Sequence, residues 1–101
     1  MLIYNVTTKV DWSIHEAWLQ WMQKEHIPAV LNTGCFIKSQ LLQLLETDES
    51  DGPTYAVQYF AASITEYNHY LTQFAPAMRK EVTDHWGNQV VAFRSLMQVV
   101  D

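Results

Sequence analysis

The sequence predicts an α+β fold, with one antiparallel sheet and helices packed on one of its faces. Two Ser-x-x-Glu patterns, at residues 13–16 and 63–66, are typical of helix starts, because such a serine and glutamate can cap the first backbone N–H groups. Segments rich in β-branched and aromatic residues stand before and after each predicted helix. The two patterns therefore divide the chain into two similar halves.

The first half is predicted as a strand over residues 2–10, LIYNVTTKV, followed by an amphipathic helix that begins around Asp11 or Ser13. Pro28 should kink or end this helix near residues 25–27, because its ring clashes with the carbonyl four residues back. A further turn over residues 29–32 would be closed by Gly34. The apolar face of the helix, at i, i+3, i+4 spacing, consists of Ile14, Ala17, Trp18, Trp21 and Met22.

The second half begins with a predicted hairpin whose strands cover residues 35–47 and 53–62. The second helix follows, with Pro76 off its apolar stripe and expected to kink it. The last strand is predicted over residues 88–100. The stripe of the second helix consists of Ile64, Tyr67, Leu71, Phe74, Ala75, Met78, Val82 and Trp86. The resulting order, βαββαβ, is that of a ferredoxin-like fold, here one domain over residues 1–101.

Composition excludes several classes of partner. With 6 basic and 11 acidic residues the net charge is −5, which argues against nucleic acid and anionic membranes as partners. No apolar run approaches the ~18 residues of a membrane-spanning helix. The single cysteine, Cys35, excludes an internal disulfide and fits a reducing cytoplasm, so a cytoplasmic location is expected.

The second face of the predicted sheet is too apolar for a face that meets water. The last strand carries Val91, Phe93 and Met97 on one face and further apolar residues on the other. Large contiguous apolar patches are unusual on monomers. A homodimer with sheet packed on sheet is therefore predicted, and scattered surface hydrophobic residues are the alternative.

The stretch WLQWMQKEHIPAVLNTGCF, residues 18–36, resembles the dimeric α/β-barrel superfamily, in which two ferredoxin-like subunits pack sheet to sheet. It combines a tryptophan-rich helix, a His-x-Pro pattern and a Gly-x-Phe turn. Together with the closing GNQVVAFRSLMQVV it is similar to an uncharacterised bacterial family, a domain of unknown function. The superfamily includes cofactor-independent monooxygenases, haem-degrading enzymes, stress-response proteins and lactone isomerases, so the fold does not select one activity.

His26 is the candidate catalytic residue, because a histidine beside Glu25 and near several tryptophans can serve as a general base. The simpler interpretation, which base rates favour, is a histidine that fixes the helix kink through bonds to carbonyl groups. His15 and His69 are expected to be solvated. A His26–His85 metal site lacks a third ligand, so no metal is predicted.

An aromatic ligand site is the second candidate feature, although filling of the core is the commoner use of such rings. Its predicted residues are Trp18, Trp21, His26 and Trp86. Arg94, the one basic residue of the last strand, would pair with a carboxylate across the dimer or meet an anionic ligand, with the pairing favoured.

Three functions follow as hypotheses, the third being an interaction module whose dimer is the functional unit. The first is a homodimer that binds a small apolar or aromatic molecule, or has a regulatory or structural role, with no cofactor and no assigned activity. The second is a cofactor-independent monooxygenase or isomerase that uses His26 in an aromatic pocket. The space between the helices and the sheet distinguishes a binding site from a filled core.

Overall fold

The computed structural model describes residues 1–101 and contains a four-stranded antiparallel sheet with helices on one face. Its strands, in the spatial order β2-β3-β1-β4, are β1 (Leu2–Val10), β2 (Lys38–Gln43), β3 (Thr54–Ala61) and β4 (Val90–Gln98). Strand β1 lies in the centre and pairs with β3 and β4 along nearly its whole length. The predicted ferredoxin-like fold is thereby confirmed.

The first crossover is helical from Trp12–Ile14, a 3-10 turn, through α1 (His15–Trp21). The predicted capping box at Ser13 is wrong. The Asp11 carboxylate lies two residues earlier and accepts hydrogen bonds from both the backbone N–H and the hydroxyl of Ser13, at 2.8 and 2.7 Å. Because the serine hydroxyl serves as a donor to Asp11, Asp11 is the residue that caps this segment.

Pro28 does not end the first helix. Residues Met22–His26 form a π-helical segment, and α2 (Ile27–Leu31) continues from it with Pro28 in its first turn. The N–H of Ile27 bonds the carbonyl of Met22, five residues back, so the turn is widened just before the proline. The irregularity predicted near residues 25–27 takes the form of this π-helical segment, and both of its buried side chains, Met22 and His26, face the sheet side.

The second crossover breaks at Phe74 into α3 (Ile64–Gln73) and α4 (Ala75–Trp86), whereas only a kink, and not a break, is predicted at Pro76. Pro76 lies in the first turn of α4, where its missing N–H would have had no helical partner. Ser63 occupies the N-cap position of α3, but its hydroxyl donates to the Glu66 carboxylate rather than bonding the backbone. The two box residues are therefore paired with each other.

The core lies between these helices and the sheet. Trp18 is its largest fully buried side chain, with 1% of its surface exposed. Burial of an indole of this size contributes about 4–6 kcal/mol of hydrophobic stabilisation. Tyr70, which the predicted stripe omits, is also buried, because it lies three residues after Tyr67 and thus on the same helical face.

The other face of the sheet carries no helix. Its most exposed apolar residues lie on β4, where Val91 and Phe93 are 69% and 62% exposed. The centre of the face is polar, because Asn5 and Thr7 of β1 lie there and the Asn5 amide donates to the Thr7 hydroxyl at 2.9 Å. The predicted apolar excess is thus present, but it lies at the β4 side of the face.

His15 departs from the prediction that it is solvated. Its Nε2 shares a hydrogen bond of 2.6 Å with the Tyr55 hydroxyl, and the two rings stack at 5.6 Å. This contact joins the start of α1 to strand β3.

Gly52 cannot be replaced without moving backbone. Gly52 lies in the loop that joins β2 and β3. A Cβ atom at this position would lie 1.7 Å from the carbonyl oxygen of Val10, at the end of β1. We expect Gly52→Ala to lower the free energy of unfolding by at least about 3 kcal/mol, the upper range for overpacked sites. Urea denaturation measures this.

Gly34→Ala is the matched control for that substitution. Gly34 also has a positive φ, +79°, but a Cβ there meets no atom within 4 Å. Only the conformational cost of about 1 kcal/mol remains. Equal losses in the two variants would contradict the close approach of Gly52 to β1.

Candidate functional site

A cavity of about 50 Å³ lies between the helices and the helix-facing side of the sheet. This volume corresponds to on the order of four water-sized groups. The sheet contributes Tyr4, Val6, Thr8, Val57, Tyr59, Ala92 and Arg94. The helices contribute Trp18, Met22, His26, Tyr70, Met78, Arg79 and Val82. The space is therefore mostly apolar and aromatic, with a small number of polar groups, as is typical of sites for small molecules.

His26 is the buried titratable group of the cavity wall. It is 9% exposed, and its Nδ1 has no partner among the protein groups. Burial, together with the positive charge of Arg94 and with His85, lowers the pKa of His26 to about 4. His26 is therefore neutral at pH 7, with one ring nitrogen free to accept or donate a hydrogen bond.

Tyr4 lies at the centre of β1, and two arginines converge on its hydroxyl. Nε of Arg94, on β4, donates to the Tyr4 oxygen at 3.1 Å, and a terminal nitrogen of Arg79, on α4, donates at 3.4 Å. The strand pairing explains part of this arrangement, since Arg94 lies opposite Val6, whose side chain shares the helix-facing side with Tyr4. Both guanidinium groups also reach solvent, so they mark one end of the cavity.

Two further tyrosines remain protonated in the wall. Burial raises the pKa of Tyr59 and of Tyr70 far above the ordinary value, and the neighbouring Tyr4 adds to the shift in both cases. Their hydroxyls are thus neutral hydrogen-bonding groups at any physiological pH. They supply polarity to the site without adding charge.

The predicted tryptophans do not all reach the cavity. Trp18 and His26 line it, whereas Trp21 stacks on His26 at 4.8 Å and contacts His85 at the same distance. Trp86 packs edge-on against Trp21, with ring centroids 5.8 Å apart. Trp21 and Trp86 therefore lie beside the cavity, on the outer side of His26.

No metal centre is formed by the described residues. The cleft on the outer side of His26 also contains Glu25, Glu81 and His85, but no group of three or more acidic, histidine or cysteine side chains is arranged to hold an ion. His85 instead donates through Nδ1 to the carbonyl of Glu81, at 2.9 Å. None of the helices combines the length and the apolar composition that a membrane-spanning helix requires.

Sequence reasoning missed Tyr4, Arg79 and Tyr70 as parts of the wall. A signal was present for Arg79, because it lies four residues after Ala75 and three before Val82, and so within the apolar stripe of α4. Tyr4 gave no such signal, since an aromatic residue in a central strand is ordinary.

A family model matches residues 1–100, described as a domain of unknown function, DUF4286. The chain belongs to the DUF4286 family. The match covers nearly the whole chain and therefore the complete sheet, both crossovers and every residue of the cavity wall. No curated protein sequence matches the chain.

Solved structures with the same fold share little sequence with it. An EthD family protein from Bacillus halodurans c-125 has a TM-score of 0.67 at 11% identity, covering 99% of this chain and 100% of its own. A candidate antibiotic biosynthesis monooxygenase from Deinococcus radiodurans has a TM-score of 0.60 at 14% identity, with 100% and 94% covered. A candidate monooxygenase from Shewanella loihica PV-4 has a TM-score of 0.57 at 11% identity, with 99% and 95% covered. At these identities the likeness shows the fold alone.

The depressed pKa of His26 predicts a specific dependence of stability on pH. The folded state resists protonation of His26 down to about pH 4, whereas the unfolded chain takes up this proton near pH 6.5. The contribution to the free energy of unfolding is full above pH 6.5 and is lost as the pH falls towards 4, with a total loss of roughly 3 kcal/mol. Urea denaturation between pH 7.5 and 4 measures it.

His26→Gln removes this titration and should flatten that part of the profile relative to the unsubstituted protein. Carboxyl groups such as Glu66, whose pKa is lowered by its bond from Ser63, still contribute to acid destabilisation in both proteins. His69→Gln, at an exposed position, is the control and should leave the profile unchanged. Parallel profiles for His26→Gln and the unsubstituted protein would contradict burial of a neutral His26.

Proposed function

We propose that this protein binds a small organic molecule in the cavity between its helices and its sheet, and that it acts as a homodimer through the open face of the sheet. The observation that carries the first part is the cavity itself, which includes a buried histidine with an unpartnered ring nitrogen. A buried polar atom without a partner costs about 1–3 kcal/mol. A bound molecule with a complementary polar group would recover this free energy.

The size and lining of the cavity limit the ligand. At about 50 Å³ it is much smaller than the pockets of ~300 Å³ or more that hold drug-sized molecules. The ligand is therefore a molecule of few heavy atoms, or a larger one of which only one end enters. Trp18 and His26 contact it in this proposal, and Trp21 and Trp86 hold the outer side of His26.

A cofactor-independent monooxygenase or isomerase is the second candidate function. It is favoured by the fold shared with two candidate monooxygenases. The pKa of His26, about 4, argues against His26 as its general base, because an efficient base has a pKa near the working pH. Binding without chemistry is therefore the better supported function.

The homodimer is supported by the apolar β4 side of the open face. Val91, Phe93 and Met97 are exposed there without any covering element of the same chain. Pairing two such faces about a two-fold axis would bury both apolar strips and leave the polar centres to exchange hydrogen bonds. We also place the protein in the cytoplasm, since its one cysteine, Cys35, is a buried free thiol.

Native mass spectrometry of the freshly purified protein tests the binding function. We expect a retained small molecule that is absent from Ala92→Met, because the longer side chain occupies the cavity from the β4 side. Ala77→Met, at an exposed position of α4, is the matched control and should retain the molecule. Equal retention by both variants would place the ligand elsewhere.

The recovered molecule also separates the two functions. After incubation with fresh protein in air, an unchanged molecule supports binding alone. A molecule that gains an oxygen atom supports the oxygenase. A molecule that keeps its mass but changes its chromatographic retention supports the isomerase.

Phe93→Asp tests the dimer. The carboxylate would be buried in the proposed interface without a partner. We therefore expect the dissociation constant of the dimer to increase by at least about a hundredfold. Light scattering after size-exclusion chromatography measures the mass. Ile64→Asp, at an exposed apolar residue on the helical side, is the control and should remain dimeric. A monomeric unsubstituted protein at micromolar concentration would exclude this interface.

A further inference from the structure

We infer that the ligand of the cavity carries a carboxylate group, which binds between Arg79 and Arg94, while its apolar body enters the cavity. This inference rests on the proposed binding function and names the class of ligand. The first support is the distribution of arginine. The chain has only two arginines, one on a helix and one on the edge strand of the sheet, and both donate to the same oxygen atom of Tyr4.

Neither arginine has a carboxylate partner. The chain has 11 acidic residues, yet its one ion pair joins Lys80 and Asp84. No aspartate or glutamate lines the cavity. Two guanidinium groups held against one neutral oxygen repel each other, and an anion between them would convert this repulsion into attraction. The chain has a net charge of −5, yet no acidic residue lines the cavity beside the two arginines. The wall of the cavity therefore leaves both positive charges available to an anionic ligand.

The proposed dimer does not supply the missing carboxylate through its sheet interface. Arg94 lies on the same side of the sheet as Val6 and Tyr4, which face the helices, whereas the interface uses the opposite side. Pairing of Arg94 with a carboxylate across the dimer, the favoured expectation from the sequence, is therefore geometrically disfavoured. An anionic ligand is the remaining partner.

The groups around the arginines favour a carboxylate over a phosphate. The Tyr4 hydroxyl accepts two bonds and still has its own proton to donate, so up to three donors are available to one planar anion. Behind them the wall is apolar, with Val6, Val82 and Ala92 among its residues. A monocarboxylate with a short apolar or small aromatic body satisfies both halves of the site. A phosphate group is larger, carries more charge and would leave the apolar half unused.

Isothermal titration calorimetry at pH 7 with butyrate and benzoate tests this inference, with butyramide and benzamide as uncharged analogues of similar shape. We expect at least one acid to bind and its amide to bind at least about tenfold more weakly, the size of a lost charge-assisted bond. Arg79→Gln and Arg94→Gln should each weaken acid binding by about tenfold or more. Ala92→Met should abolish it.

Lys24→Gln is the matched control, because it removes the same charge from an exposed position away from the cavity. It should change affinity by less than about twofold, since exposed charges at a distance are screened. Arg94→Lys keeps the charge but loses the planar donor pair, so intermediate affinity is expected.

The outcomes separate this inference from the proposed function. Equal binding of acid and amide, both sensitive to Ala92→Met, would overturn the carboxylate but retain the cavity as a ligand site. Tighter binding of inorganic phosphate than of both acids, or acid binding unaffected by either arginine substitution, would likewise overturn the carboxylate. If neither acids nor amides bind, both the inference and the proposed function fail for ligands of this size.

Discussion

The ring of Tyr4 contacts four other aromatic rings, while its hydroxyl receives hydrogen bonds from both arginines of the chain. Its ring centroid lies 5.6–6.1 Å from those of Phe36, Tyr59, Tyr67 and Tyr70, which come from three different parts of the fold. Tyr4 itself is 3% exposed. One side chain on the central strand thus joins the sheet, the second crossover and the charged end of the cavity.

This arrangement gives the cavity two chemically different regions. The two arginines provide positive charge where solvent is accessible, and the neutral Tyr4 hydroxyl accepts a hydrogen bond from each of them. His26, neutral because burial makes its charged form unfavourable, lies in the wall formed by the first crossover. Trp21 covers the outer side of His26, with the two rings nearly parallel. A ligand that spans both regions would contact an ionic group at one end and a neutral polar group with aromatic neighbours at the other.

The order of elements could be predicted because local patterns specify it. Strand β1 is predicted with the bounds that the structure has, since its β-branched and aromatic residues leave few alternatives. The chemistry of proline predicts only a kink near Pro76, whereas the structure has a break between α3 and α4. The capping of the first helix could not be predicted with the same certainty, because both Asp11 and Ser13 are suitable N-cap residues, and in the structure Asp11 accepts the hydrogen bond from the Ser13 N–H. The outcome at Pro28 depends on a widened turn whose cost is offset by tertiary packing of Met22 and His26.

The sequence by itself determined the βαββαβ order, the amphipathic stripes, the apolar excess on the last strand and His26 as the histidine of interest. These features depend on residues close together in the chain, where periodicity and steric constraints act directly. Only the tertiary structure brought Arg79 and Arg94 to the Tyr4 hydroxyl and left space between Trp18 and the sheet. In the sequence, Arg79 and Arg94 are separated from Tyr4 by 75 and 90 positions. No local sequence pattern encodes which distant side chains meet or how completely they fill the core.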